Sequence, residues 1–352
     1  MLATKTKRLF AEIGDFSILT AISNGAKPPF RLESVEEYPL SIDADEFHES
    51  ILKRVNAAGK TSAYVPADCA VYPSTRFLRR ATLEQPNKMR EGGFFEEFLN
   101  SQYRIDASKN SVAILNAMDG LPFNPSKSLS SQKELMFCGA ESTDWRSQQE
   151  RLVRFGIFPH SLRLGSLSTL RALMEYAHHA KDSDPTLMLE ITPTSAQLFI
   201  FNDGVLDISR PIPFGLNSMF PMIQQELGLK DEDSARKLLY SNTFDFTEMG
   251  TSLLRRMIKE LQASTGFYEV QTGQAVGQIF VSLLPRNLQW ITKILAKSLG
   301  VKIVSPDFRE WLQIREVTPS EEIALESLDP RWFGLFGLMG EFTSTLKNGE
   351  KN

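Results

Sequence analysis

Residues 187–215 read LMLEITPTSAQLFIFNDGVLDISRPIPFG. Leu187 to Ile191 is a short apolar run, Thr192-Pro193-Thr194 is turn chemistry, and Leu198 to Phe201 is apolar and aromatic again. Asn202-Asp203-Gly204 is a hairpin signal, because Asn and Gly tolerate the positive φ that such turns need. The stretch therefore predicts strand, tight turn, strand, turn, strand. The same wording occurs near the start of the chain. Leu9, Glu12, Ile13, Ser17, Ile22 and Asn24 line up with Leu187, Glu190, Ile191, Ser195, Ile200 and Asn202. A glycine closes each copy, Gly25 and Gly204, one position out of register. Two copies so far apart point to two homologous domains and not to a solenoid of short repeats.

The composition fits that organisation. The chain has 352 residues, enough for two domains with proper cores. Hydrophobic residues are 42% and charged residues 23%, as in soluble globular proteins. A net charge of −4 argues against non-specific nucleic-acid binding, which works by releasing counterions to cationic side chains. Cys69 and Cys138 make neither a disulfide framework nor a metal set, so two free thiols in a reducing compartment are expected. His178 and His179 are adjacent and point to different faces of a helix; with His48 and His160 they form no chelating pair. Met1 to Arg8 is basic, but too little apolar sequence follows for a signal peptide. No run approaches the roughly 20 apolar residues of a membrane helix. The expectation is a cytoplasmic protein whose membrane contact must come through a partner.

Along the chain, Leu9 to Tyr38 predicts three antiparallel strands. A helix capped by Asp43 or Asp45 should run to Ala58, with Phe47, Ile51, Leu52 and Val55 on one face. Ser62 to Pro66 and Ala70 to Tyr72 follow as short strands. A small α+β module comes next: helix Gly92–Tyr103, strand Ser111–Met118, a mobile loop Asp119–Gln132 and strand Leu135–Gly139. A helix from Thr143 through Phe155 and a third strand, Leu162–Leu164, complete it. After helix Leu167–Ala180, Lys181 to Pro185 is the clearest linker. Beyond the central strands come helices Ser218–Leu227 and Asp231–Tyr240, one long helix Thr247–Gln271, and strand Gln278–Ser282. Helix Asn287–Leu299 and strand Val301–Val304 follow. A closing helix, Pro330–Phe342, carries Gly334, Gly337 and Gly340, which would let it lie close to a neighbour. The expected division is a first lobe (6–82 and 166–182), an inserted subdomain (83–165), a second lobe (186–345) and a polar tail (346–352).

Two strand-turn-strand units, each with an acid at the end of its first strand, resemble the actin-like ATPase superfamily. In actin, sugar kinases and the Hsp70 ATPase domain the two turns cradle phosphates from either side of a cleft. The wording is closer still to the PilM family of type IV pilus assembly. "DGVLDISRPIPFG" (Asp203 to Gly215) is similar to that family's Asp-Gly-x-x-x-x-x-Arg-x-Ile-Pro-x-Gly, and "LGLKDEDSARKL" (Leu227 to Leu238) to its Leu-Gly-Leu-Ser-x-Glu-x-Ala-Glu-x-Leu. The long helix ending in Phe267-Tyr268, "LVRFGIFPHSL" (Leu152 to Leu162) and "WFGLFGLM" (Trp332 to Met339) resemble three further family phrases, in the right order. The resemblance implies an α/β, actin-like (ribonuclease H-like), two-lobed fold with the α+β insert that PilM shares with FtsA. It implies partners too: the N-terminal cytoplasmic peptide of a PilN-like inner-membrane protein, and cytoplasmic motor components of the pilus. The peptide would lie in a groove between the first domain and the insert. "STRFLRR" (Ser74 to Arg80) falls there, so Tyr72, Arg76, Phe77 and Arg79 are candidate groove residues; the other reading is a solvated strand edge.

The departures from the family bear on chemistry. Its first phosphate loop is typically Asp-Ile-Gly-Ser-x-Ser-x-Lys; here Glu12, Gly14, Asp15 and Ser17 occupy it, and Leu19 stands in place of the lysine. The second is typically Asp-Ile-Gly; here it is Glu190-Ile191-Thr192, followed by Pro193 and Thr194. Thr192 puts a β-carbon where backbone must approach phosphate, and Pro193 removes an amide donor. A Gly-Gly after the late strand has become Ser282-Leu283-Leu284-Pro285, with leucines where a purine and ribose would lie. Triphosphate binding needs backbone amides, a cation and Mg²⁺ held by carboxylates. Two acids remain, and the resemblance implies weak or absent ATP and Mg²⁺ binding: a pseudo-ATPase scaffold with no catalytic or metal residues. The alternatives are an active actin-like ATPase that switches or polymerises, and the cytoplasmic part of a type II secretion L-like protein, which normally continues into a membrane helix.

Overall fold

The structure is a computed structural model that describes residues 7–25, 29–55, 63–84, 86–117, 120–124 and 133–339. The chain opens with β1 (Lys7–Ile13), β2 (Ser17–Asn24), β3 (Phe30–Pro39), α1 (Ala44–Val55) and β4 (Val65–Val71). There follow β5 (Phe77–Thr82), α2 (Phe94–Tyr103), β6 (Asn110–Asn116), β7 (Glu134–Glu141), α3 (Ser142–Arg154), β8 (Ile157–Leu164) and α4 (Gly165–Ala180). The second hairpin supplies β9 (Thr186–Ile191), β10 (Ala196–Asn202) and β11 (Val205–Ile212). Next come α5 (Phe220–Glu226), α6 (Glu232–Ser241), α7 (Gly250–Leu253), α8 (Arg255–Thr272), β12 (Gln278–Ser282), α9 (Trp290–Leu299) and β13 (Lys302–Ile303). Then α10 (Phe308–Ile314), β14 (Val317–Pro319) and a helix over residues 332–339, here α11, end the described chain.

The chain divides into a first unit (Met1–Leu173, Arg309–Leu325, Gly334–Asn352) and a second (Met174–Phe308, Glu326–Phe333). The large sheet of the first has the order β14-β3-β2-β1-β4-β8; that of the second is β11-β10-β9-β12-β13. Within both, the hairpin strands are antiparallel and the later strands parallel. The duplication extends to register. Glu12 faces Leu19 and Glu190 faces Gln197; Ile13 faces Ile18 and Ile191 faces Ala196. Each middle strand is bulged at the aligned place, Ile22/Ser23 and Ile200/Phe201. The turn after β10 puts Asp203 (φ 46°) and Gly204 (φ 74°) in the left-handed region, as a two-residue hairpin of the right twist requires.

In the first unit the alternation of β1 sends Leu9, Ala11 and Ile13 to one face, where Phe47 and Ile51 of α1 and Leu152 of α3 cover them. The Asp43 side chain caps α1 by accepting from the amides of Asp45 and Glu46. Glu12, opposite in parity, points to the other face. A second, smaller sheet, β5-β7-β6, packs against the aromatic side of α2: Phe95, Phe98 and Tyr103 surround Phe137. In the second unit β9 is buried along its whole length, as a strand covered on both faces must be.

Several expectations are corrected. Where two short strands were expected over Ser62–Pro66 and Ala70–Tyr72 there is one, β4 (Val65–Val71), with Ser62 outside the described residues; Asp68 in its middle is buried, ion-paired with Arg8, and accepts from Ser161 Oγ at 2.7 Å. The strand expected to finish the small module, β8, instead lies parallel to β4 in the large sheet, and β5 takes its place in the small one. His160 is an extra residue in that pairing, since Ala67 faces Pro159 and Asp68 faces Ser161. The long helix 247–271 is two helices, separated at Leu254 (φ −95°, ψ 4°). α10 and β14 are additional; β14 pairs with β3. The end of the first helix at Ala58, most of Asp119–Gln132, the last turn of the closing helix and the tail lie outside the described residues.

Candidate functional site

The two acids stand at equivalent positions, one per unit, and both are buried: Glu12 is 4% exposed and Glu190 0%. Glu12 accepts a hydrogen bond from Tyr72 Oη at 2.9 Å. A Cβ added at Gly334 would lie 2.7 Å from Glu12 Oε2 and 2.7 Å from Thr169 Oγ1. The backbone of α11 thus closes over the carboxylate, with Tyr72 and α4 on its other sides. Gly337 repeats the close approach one turn later, against the Ser168 carbonyl, so these two glycines of the closing helix act as expected, while Gly340 lies outside the described residues.

The turn after β1 is tied down. Gly14 N donates to Ser17 O at 3.1 Å, and Arg151 Nη2, arriving from α3, donates to the Gly14 carbonyl at 2.8 Å. Asp15 stands at the tip, one side open to solvent and its carboxyl lying against the protein. Burial of its carboxyl raises its pKa, outweighing the lowering pull of Arg151 and Arg76. Arg151, whose own pKa is lowered by burial against the pull of Asp15, is a cation that sequence reasoning missed. It is far along the chain from the loop it serves, and only the position of α3 brings it there.

The turn after β9 satisfies itself. Thr192 N and Oγ1 both donate to Ser195 O, at 2.9 and 2.8 Å, and Ser195 N donates back to Thr192 Oγ1 at 3.1 Å. Pro193 has no amide hydrogen, so within Thr192–Ser195 only the Thr194 amide is left to meet an anion. The Thr192 and Pro193 carbonyls accept from Leu216 N (3.1 Å) and Asn217 N (2.9 Å). Gly215 packs so closely that a Cβ there would lie 2.4 Å from the Thr194 carbonyl carbon.

Glu190 pairs in register with Gln197 on one side and Ser282 on the other, a row of three buried polar residues across the sheet. After Ser282 the chain turns through Leu283 at φ 65°, a left-handed conformation that costs a side-chain-bearing residue about 1–2 kcal/mol. The backbone keeps a bend suited to glycine while a leucine occupies it. Leu284 beside it is fully buried.

Of the four candidate groove residues, three turn inward. Tyr72 (8% exposed) serves Glu12; Arg76 (4%) donates to Ser166 Oγ at 2.9 Å and to the Pro73 carbonyl at 3.1 Å, and lies over the Tyr72 ring; Phe77 (7%) joins the core of the small sheet. These three side chains do not line an open groove. Arg79 is half-buried and donates to the Leu78 carbonyl. Among the described residues no group of three His, Cys, Asp or Glu could hold a metal ion, and no helix is long and apolar enough to cross a membrane.

No family model and no curated protein matches the chain. Among solved structures, a chain of the PilM–PilN type IV pilus biogenesis complex is similar with a TM-score of 0.67 at 15% identity, over 96% of this chain and 99% of that one. A Bacteroides thetaiotaomicron protein with actin-like ATPase fold and unknown function gives a TM-score of 0.43 at 9% identity, over 89% and 98%. The cytoplasmic domain of EpsL, from the type II secretion system of Vibrio cholerae, gives 0.41 at 9%, over 96% and 95%. The chain has the fold of that pilus-complex chain, a duplicated α/β architecture.

Proposed function

We propose that the chain is a cytoplasmic adaptor of type IV pilus or related type II secretion machinery, and that it binds without turning over nucleotide. It would hold the N-terminal cytoplasmic peptide of a PilN-like inner-membrane partner and join it to the cytoplasmic motor. The observation that carries this reading is the pairing of a fold shared with a PilM–PilN complex chain over 96% of this chain with a turn after β9 whose donors, the Thr194 amide apart, are engaged within the protein. A triphosphate offered to the turn after β9 would find Thr192 and Ser195 already bonded and Pro193 without a donor; in the first unit, Glu12 lies under the backbone of α11. Mg²⁺ needs open carboxylate oxygens and water around it, and neither acid is exposed. Fold outlives site chemistry readily.

The retained acids favour a second reading, an ATP-binding actin-like ATPase. Titration calorimetry with Mg-ATP separates the two. The adaptor reading expects no measurable heat and no phosphate release; micromolar binding with hydrolysis would refute it. A pull-down of a PilN-like partner by the full chain, with and without Mg-ATP, should succeed equally in both conditions.

A further inference from the structure

α8 has 18 residues and buries one side, through Met257, Ile258, Leu261, Ser264 and Tyr268. Turned away from these, Arg256, Lys259, Ala263, Phe267 and Val270 follow one another at steps of three and four, the spacing of a single helix stripe, and all are exposed. Phe267 is 56% exposed and Val270 86%. Gly266 lies beside Phe267 on the same side. A glycine weakens a helix, yet nothing within the chain asks for one here: its φ is not positive, and an added Cβ would meet no atom within 4 Å.

The charges around the stripe are polarised. Its first turn is basic and exposed, with Arg255, Arg256 and Lys259, none of which pairs with an acid among the described residues. Glu260, the acid nearest to them in the chain, is taken by Arg210. The opposite end is acidic. Glu269 is exposed there, and so is Asp203 in the turn after β10, which is tied to this end because Asn202 Nδ2 donates to Gln274 Oε1 at 2.6 Å. From Ala263 to Val270 the stripe itself carries no charge. All of these residues belong to the second unit.

We propose that α8 packs antiparallel on α8 of a second copy of this chain, across a two-fold axis between Gly266 and Phe267. Each Phe267 ring would fill the hollow over the other copy's Gly266, and Ala263 would face Val270. Lys259 would then stand level with the other copy's Gln274, within reach of Asp203. A parallel pair would set basic end on basic end, where like charges repel. The antiparallel pair matches basic to acidic, and its symmetry makes each contact twice. One helix crossing is small beside the roughly 1,600 Å² of a stable interface, so the dimer is weak, with a Kd on the order of 10 µM. The pairing stands whether or not the chain is an adaptor.

Sedimentation equilibrium of the full chain, from about 1 to 200 µM at low salt, should show monomer and dimer in exchange. Val270→Arg should weaken association more than about tenfold, because it sets a cation against Ala263 in the uncharged middle. Gly266→Ala separates the dimer from the fold. It should raise the melting temperature of the dilute, monomeric chain and yet weaken association about tenfold. Lys259→Gln and Asp203→Asn should each weaken association about threefold, and together no more than either alone, as two ends of one ion pair. Circular dichroism checks the fold of each variant. A chain that stays monomeric throughout that range overturns the pairing. So does a dimer indifferent to Val270→Arg or to Gly266→Ala, or a pair of charge changes whose effects add.

Discussion

Glu12 and Glu190 share a strand position and a register, yet their surroundings are built differently. Glu12 is enclosed by distant segments: Tyr72 from the end of β4, Thr169 from α4 and Gly334 from α11. Beside Glu190 the neighbouring turn is sealed by its own hydrogen bonds between Thr192 and Ser195, with Gly215 pressed on it. One half is closed by tertiary cover and the other by local chemistry. The first kind should depend on the packing of whole helices, the second on single backbone atoms.

That difference can be broken at graded cost. Gly215→Ala should have the largest effect, because its new methyl meets backbone of Pro193, Thr194 and Ser195 that cannot yield; about 3 kcal/mol of stability should be lost in urea unfolding. A loss below about 1 kcal/mol would mean that the second turn is looser than its contacts suggest. Gly334→Ala meets side-chain oxygens instead and should cost about 2 kcal/mol, part of which Glu12→Ala in the same chain should return. Additive single effects would separate α11 from Glu12. Tyr72→Phe removes the donor to a buried carboxylate and should cost about 1–2 kcal/mol.

The smallest expected effect is at Asp15. Its carboxyl pKa is raised in the folded chain, so the folded state holds that proton more tightly than the unfolded one. The contribution is favourable in acid and is lost as pH rises through the folded value. Asp15→Asn should therefore raise the melting temperature slightly at neutral pH, with the gain vanishing as pH falls through the carboxylate range. Arg151 and Arg76 face the same group and oppose the shift, and loss of their partner will offset part of the gain. A variant less stable at neutral pH than the parent would show that the arginines dominate.

Both hairpins were legible in the sequence, because short apolar runs with Asn, Gly and Pro between them leave few alternatives. The repeat was legible for the same reason, and its register survives residue by residue. Strand partners were not. Periodicity marks β8 as extended but carries nothing about which sheet accepts it. The single strand β4 was not legible as one, since an acid in mid-strand is costly without a partner and the partners of Asp68, Arg8 and Ser161, come from elsewhere in the chain. β14 is three residues long, too short to show a period. At the site, the acids and altered loops could be read directly. The inward turn of Tyr72 and Arg76 could not, since a basic, aromatic run such as STRFLRR usually lies at a surface and only tertiary contacts turn it in. Arg151 left no signal near the loop it supports.

One feature of the large sheet has a bearing on handling. β8 is its outermost strand, with Phe158 56% exposed, Pro159 lacking an amide hydrogen and His160 displaced from the ladder. An unbroken apolar rim there would invite a neighbouring molecule to extend the sheet and begin a fibre; proline and a kink spoil that template. Deleting His160 would straighten the rim, and the shortened chain should precipitate from concentrated solution that the parent tolerates.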